Sequence, residues 1–409
     1  MKALRQILDG FGHHFEKGGR YERLYPLWES FDTFLYAPAS RTKSGAHVRD
    51  ALDLKRMMMM VIIAAIPCIL MAMYNTGLQA NLALDPAKLG ELPGWRHVVM
   101  RALGVGYSPD SLFACFVHGA LYFLPLYIVT MVVGLAWEVG FAIVRRLEVN
   151  EGFFVTGLLY PLILPPETPL WMAALGISFG VVFAKELFGG TGMNFVNPAL
   201  AARAFVFFAY PAYMSGDQVW TAAPAGYAVD GFSGATLLSQ WRQLAEPFAA
   251  QSYDWWRAFG GLEPGSMGET SALACLIGAA VLIATGVGSW RTMAGVTLGT
   301  VAMATFFNAI GGSNPYFAVP FWWHMVAGGW AFGTVFMATD PVTSPFTDRG
   351  KWIYGFMIGA MIVLVRVVNP AYPESTMLVI LFMNVIAPIV DYYLVKANIK
   401  RRAKRRAEA

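Results

Sequence analysis

The sequence predicts an all-α polytopic membrane protein with about ten spans. Three observations carry this. Of 409 residues, 56% are hydrophobic and only 14% charged, where a soluble domain carries roughly a quarter charged residues. Apolar runs near bilayer-crossing length recur along the chain, and the mean hydropathy is +0.49. Lys and Arg gather before the first run and after the last. The net charge of +4 informs only when mapped onto loops, and no nucleic-acid partner is expected.

Residues 1–56 form a polar N-terminal segment that mixes Leu4, Ile7, Leu8, Phe11 and Phe15 with charge. It reads as cytoplasmic or interfacial, lying on the membrane or against a partner. Its length and the lack of a cleavage site after the first apolar run argue against a signal peptide. His13-His14 lacks carboxylate neighbours and reads as surface. The first membrane half, 57–214, has spans near 57–75, 112–135, 152–164, 168–187 and 197–214. The second apolar pattern continues to Val144, with Pro125 as a kink point. The third is too short to cross ~30 Å and ends at Pro165-Pro166, so a broken or re-entrant helix is expected. Residues 215–269 are the one long polar loop. The second half, 270–396, has spans near 270–288, 292–310, 321–338, 352–368 and 375–396, and 397–409 is a basic tail.

Orientation follows from Lys and Arg. Arg41, Lys43, Arg49, Lys55 and Arg56 precede the first span, and seven Lys and Arg between Lys396 and Arg406 follow the last. Both termini are therefore expected in the cytoplasm, and the 215–269 loop in the periplasm of a bacterial inner membrane. Cys68, Cys115 and Cys275 lie in apolar runs without CxxC spacing, which speaks against a metal or iron–sulfur site of this chain's own. No structural metal is expected.

Residues 152–210 and 330–390 share a pattern. Each has a Phe-x-Thr element (Phe154–Thr156, Phe332–Thr334), a proline-rich break, a Gly-containing helix, and an Asn-Pro (Asn197-Pro198, Asn369-Pro370). The copies are offset by five spans, so the second is inverted. Two inverted five-helix repeats with broken helices are a transporter architecture, with the ion path at the repeat interface.

The long loop carries Ser233-Gly234-Ala235-Thr236, preceded by Asp230. The tetrapeptide alone also fits an ordinary loop. Its setting adds Trp220, Tyr227, Phe232, Trp241, Trp255 and Trp256, aromatic partners for a flavin ring, and a threonine hydroxyl can accept a nucleotide phosphate as a phosphoester. A second segment, Gly189-Gly190-Thr191-Gly192 with Asn194 and Asn197-Pro198, offers close backbone approach, free N–H groups and two amides. An ordinary helix cap after a Gly turn uses the same residues. Intramembrane charges are functional candidates by default. Glu138 and Asp391 suit a hard cation such as Na+, or pair with Arg145, Arg146 or Lys396. Phe332 and Phe336 stand one helical turn apart, as a hydrophobic gate or as helix packing. No Rossmann-type GxGxxG unit for NADH occurs.

Taken jointly, several segments are specific: His47–Arg56, Glu148–Phe154, Phe188–Leu200, Asp230–Thr236, Ala338–Pro341 and Arg366–Glu374. Over nearly its whole length the chain resembles the B subunits of the Na+-translocating NADH:quinone oxidoreductases (Na+-NQR), a family related to the D subunits of the Rnf complex. The resemblance implies a urea-transporter-like fold. It implies FMN joined through its phosphate to Thr236, with Asp230, Ser233, Gly234 and Ala235 as the pattern read by a flavin transferase. It implies non-covalent riboflavin at Gly190, Thr191, Asn194 and Asn197. Ubiquinone is placed near Gly134, Trp137 and Glu138, although Gly134-Leu135 departs from the paired glycines usual there. Glu29, Glu138, Asp391, Phe332 and Phe336 map to a transient Na+ path. Electrons are then expected to pass from FMN via riboflavin to ubiquinone, in a complex with subunits A, C, D, E and F in membrane lipid. The rivals are an Rnf-type subunit of a ferredoxin:NAD ion pump, a passive solute channel of the urea-transporter type, and a scaffold subunit.

Overall fold

The computed structural model describes residues 10, 12–15, 18–25, 28, 54–146, 152–224, 226–242, 248, 252–312, 314–369 and 374–408. Glu29, one of the expected ion-path residues, lies outside them. The described chain is helical, and its one β-bridge joins Leu84 to Ala228. In the first half, α1 is Leu54–Ala83, α2 is Trp95–Ala102, α3 is Leu112–Arg145, α4 is Gly152–Leu162, α5 is Leu170–Ala184 and α6 is Pro198–Ala209. The long loop holds two short helices, α7 (Leu237–Arg242) and α8 (Trp255–Gly260). Then follow α9 (Ala272–Ala284), α10 (Trp290–Ile310), α11 (Phe321–Val326), α12 (Trp330–Phe332), α13 (Asp348–Val368) and α14 (Ser375–Glu408).

Each apolar run of the sequence is a helix, and six are long and apolar enough to cross a membrane: those containing α1, α3, α5, α10, α13 and α14. Three more, α4, α6 and α9, are apolar but shorter. The chain is a multi-pass membrane protein. Several element bounds differ from the sequence reading, and the last helix continues through the expected basic tail to Glu408. The first helix runs on to Ala83, and α3 is one continuous helix to Arg145 with Pro125 inside it. Polar side chains that ended the hydropathy pattern find partners: Asn75 and Gln79 on α1 donate to Glu263 O and Leu262 O. The 321–338 run is two helices, because Gly328 and Gly329 take φ of 62° and 68° between α11 and α12.

A helix broken in apolar surroundings leaves carbonyls without partners. Both breaks are repaired by distant residues. After α11, the Arg366 guanidinium donates to His324 O, Ala327 O and Gly328 O at 2.8, 2.8 and 3.2 Å. After α4, Gly268 N and Met267 N donate to Leu162 O and Leu164 O at 2.7 and 3.2 Å. Beyond α12 the chain makes a π turn over Gly333–Met337.

Glycines set the closest helix crossings. On α10 and α13, a Cβ at Gly299 would drive into Phe356 O, and one at Gly359 into Val296 O. Small residues at such crossings let backbones touch where the hydrophobic effect supplies no drive. At the α1–α9 contact, Cys68 and Cys275 are buried with their sulfurs 3.8 Å apart, and Gly278 packs against Ala64 O and the Phe336 ring. The cysteines behave as small buried hydrophobes, as the sequence indicated.

Gly359→Leu is expected to force α10 and α13 apart and cost about 1–3 kcal/mol or more. Thermal unfolding of the detergent-solubilised protein checks this, and an unchanged midpoint would show that the crossing relaxes freely.

Candidate cofactor site and ion path

Segment 185–198 is built to hold side chains at a helix start. After α5 the chain turns through Gly189, Gly190 and Gly192, with φ of 123°, 94° and 88°. These left-handed values are open to glycine at little cost. Asn197 then caps α6, its Oδ1 accepting from Ala199 N at 3.0 Å and Leu200 N at 3.2 Å. Its amide nitrogen faces Asp340 Oδ2 at 3.4 Å. Asp340 is held in turn by Val342 N at 3.1 Å and Thr343 Oγ1 at 3.0 Å. The Asn384 amide of α14 lies within hydrogen-bond reach of Asn197 N, Thr343 Oγ1 and Tyr354 Oη. The first Asn-Pro and the second proline-rich break therefore meet in one polar network.

A cavity opens beside this network. Thr191, Asn194 and Asn197 line it, opposite Phe336 and Asp340 and next to Lys185. Gly190 is not in its wall and serves the turn. The Thr191 hydroxyl is buried without a hydrogen-bond partner, and the amide of Asn194 meets only Val196 O, at 3.2 Å. An orphaned hydroxyl, two amides, one carboxylate and apolar walls from Leu159, Val61 and Leu282 suit a flat heterocycle with ring N and O atoms. Asp340 and Lys185 were not among the residues the sequence pointed to for this site. The Asp340-Pro341 break was visible in the sequence, but not its approach to Asn197.

The expected quinone trio does not converge. Gly134 and Glu138 are buried, whereas Trp137 is 43% exposed and donates to Ser178 Oγ at 2.9 Å. Gly134 has a packing reason to be glycine: a Cβ there would enter the Phe153 ring. Glu138 pairs with Lys185, and Arg145 with Glu186, so the anticipated Glu138–Arg145 pairing is replaced. Asp391 likewise has no Lys396 partner. It accepts from Phe346 N, Thr347 N and Thr347 Oγ1, and so fixes the cap of α13. Phe332 and Phe336 are both buried with ring centroids 5.0 Å apart, and Phe336 reaches the cavity.

The Thr236 site lies in the long loop. Thr236 caps α7, its Oγ1 accepting from Ser239 N at 3.3 Å. It lines a second pocket with Glu263, Ser266, Glu269, Gly329 and Glu374. At the floor, the buried Arg203 joins Glu269 at 3.3 Å and Glu374 at 2.8 Å. Burial pushes the Glu374 carboxyl up to about 7, against the pull of Arg203. Of the loop aromatics, Trp220 and Trp241 are buried, and Trp241 is packed among Phe248, Tyr316, Trp323 and His324. Phe232 and Trp256 remain exposed, at 38% and 74%, and are the rings still open to a planar ligand.

A family model described as the NQR2, RnfD, RnfE family matches residues 41–400. The chain belongs to this family. It is 57% identical to the B subunit of the Na(+)-translocating NADH-quinone reductase of Pseudomonas paraeruginosa, over 98% of this chain and 99% of that one. It is 56% identical to the proteins of the same name from Azotobacter vinelandii and Chromohalobacter salexigens, again over nearly the full length of each. The family resemblance drawn from the motifs is thereby shown.

Two outcomes follow from the charge pairs. Lys185→Met strands a buried Glu138 carboxylate and is expected to cost about 3–5 kcal/mol; adding Glu138→Gln should recover most of it, as read by thermal unfolding. Glu374 favours its neutral form in the fold, since its folded pKa is raised. Its stabilising contribution is complete below the usual carboxylate range and is lost as pH rises through about 7. Relative to Glu374→Gln, the native chain should therefore lose melting temperature between pH 5 and 8; parallel curves would refute the shift.

Proposed function

We propose that this chain is the B-type membrane subunit of a bacterial Na+-translocating NADH:quinone reductase. It holds FMN covalently at Thr236 and riboflavin in the Thr191–Asn197 cavity, serves ubiquinone reduction, and contains the sodium path. The observation that supports this best is the cavity itself. The segment read as a flavin site, Thr191, Asn194 and Asn197, shares one chamber with Phe336 of the expected gate and with Asp340. The near-full-length identity to subunits bearing that name favours the same reading over the Rnf type.

The helical segments also fit two sets of five. The first helices of the sets, α1 and α9, touch each other, as do the last, α6 and α14. We read this as the inverted repeat, urea-transporter-like, with both termini cytoplasmic and the Thr236 loop periplasmic. The other subunits of the complex supply NADH oxidation, and a flavin transferase modifies Thr236.

A bound flavin supplies one- and two-electron redox chemistry. The chain's own residues do the rest. The amides of Asn194 and Asn197 and the Thr191 hydroxyl orient a heterocycle by hydrogen bonds to its edge. Asp340 places a carboxylate where a cation passing Phe336 meets oxygen ligands, the chemistry a hard ion needs. Phe332 and Phe336 exclude water beyond the chamber. A partly exposed loop suits the covalent cofactor, because a tethered group cannot be lost to solvent.

Mass spectrometry of the chain from its native host tests the core of the proposal. An FMN-sized adduct on the Thr236 peptide is expected, and is absent in Thr236→Ala. Asn194→Ala with Asn197→Ala should lower acid-extractable riboflavin at least several-fold while the Thr236 adduct persists. An unmodified Thr236 peptide, with the transferase active, would move the assignment to a flavin-free channel.

A further inference from the structure

Resting on the reading of Thr236 as the flavin acceptor, we propose that attachment precedes the docking of residues 234–242, so that the docked loop is the holding conformation and not the transferase's substrate. The motif is split by the fold. Asp230, Gly231, Phe232 and Ser233 are exposed, whereas Gly234 and Ala235 are buried. The Gly234 backbone lies flat on its neighbours: a Cβ there would stand 2.6 Å from Asp217 O and 2.9 Å from Thr221 Oγ1. Ala235 O accepts from Gln240 Nε2 at 2.9 Å, and Thr236 O from Gln240 N at 2.9 Å. The Thr236 hydroxyl is itself engaged by Ser239 N. Ser239 Oγ donates to Asp217 Oδ1 at 2.8 Å, and Leu238 O accepts from the buried Tyr316 hydroxyl. These contacts pin the helix that follows the threonine.

The transfer needs the opposite arrangement. Thr236 Oγ attacks the FMN-side phosphorus of a flavin dinucleotide. The new O–P bond forms, the P–O–P anhydride bond breaks, the nucleoside monophosphate leaves, and the hydroxyl proton passes to a base of the transferase. Nothing is oxidised or reduced. In-line attack requires a free Oγ and an enzyme wall around residue 236 that keeps water from the anhydride. In the docked loop this chain already occupies one side, through Val326, Ala327, Gly328 and Gly329. The pocket there carries Glu263, Glu269 and Glu374 against the guanidinium groups of Arg257 and Arg203. Both guanidinium groups are already engaged by these carboxyl groups, so neither is free to receive a doubly charged pyrophosphate. The exposed half, 230–233, remains available as a handle.

The test uses the full-length chain made without transferase and held folded in nanodiscs, incubated with purified transferase and flavin adenine dinucleotide. Adduct formation is followed by mass. Peptide 226–242 serves as the undocked control. The peptide should be modified fastest, and Ser239→Ala in the folded chain should accelerate modification by roughly 3- to 10-fold, the effect on loop opening of one lost hydrogen bond. A second variant guards against misfolding. With Asp217→Cys and Ser239→Cys, oxidation by a thiol oxidant should block adduct formation and reduction should restore it. Equal rates for folded chain and peptide, or for oxidised and reduced pair, would overturn the proposal. An adduct on neither substrate, or on a residue other than Thr236, would sink the acceptor assignment on which it rests.

Discussion

The structure depends on one constraint: a chain that breaks its helices inside an apolar layer must satisfy the freed backbone groups itself. Arg366 is the clearest answer. Without it, His324 O and Ala327 O at the end of α11 would lose the donors that hold them, and Gly328 O would keep only the Thr376 hydroxyl at 3.4 Å. Losing several such bonds at once costs far more than one exposed surface contact. The guanidinium fork suits the task, because its donors spread over a plane and reach several acceptors together. The end of α4 solves the same problem with backbone N–H groups from Met267 and Gly268. The long loop is thus structural at its C-terminal end, as well as the bearer of Thr236.

These repairs also place the candidate side chains of the cavity. Arg366 fixes α11 and the turn, the turn starts α12, and the π turn beyond α12 carries Phe336 to the cavity, with Phe332 packed behind it. At the other end of the same stretch, Asp340 is locked by Val342, Thr343 and Asn197. The stretch between two fixed ends is short and holds one irregular turn. π turns in helices are frequent at functional sites.

Much of this was legible in the sequence, and the division has a physical cause. Apolar runs mark helices because hydropathy is a local property; every run expected to be a span is helical, although the 321–338 run is split in two at Gly328-Gly329. The breaks at Pro165-Pro166 and Asp340-Pro341 were legible because prolines cluster there with turn-forming residues, whereas the lone Pro125 is absorbed within α3. Glu138, Lys185 and Arg145 were each visible as charges in apolar surroundings, yet their pairing was not. The partners are set by where α3 and α5 cross, 41 and 47 residues apart in sequence. Asp391 was visible in the same way, while its donors were not. An acidic residue late in a span looks like an ion ligand, but its three donors come from a turn about 45 residues earlier. Gly134 shows the converse, a glycine whose identity is accounted for by the ring of Phe153.

The contrast between the two candidate cofactor sites follows from these origins. The Thr191–Asn197 cavity is walled by elements from distant parts of the chain, so its shape exists only when α1, α4, the start of α6 and the stretch from Phe336 to Val342 are together. A ligand there gains affinity only from the assembled state, and so biases it over any other. At Thr236 the cap and the tether of Ser239 to Asp217 form within one loop, while the pocket beside it draws on Arg203, Gly329 and Glu374 from outside that loop. A covalent bond frees such a site from having to bind its cofactor tightly, which leaves its side chains able to tune charge. If the proposed FMN is attached at Thr236, the Arg203–Glu269–Glu374 triad, with a carboxyl pushed up to about 7, lies in the same pocket as the tether.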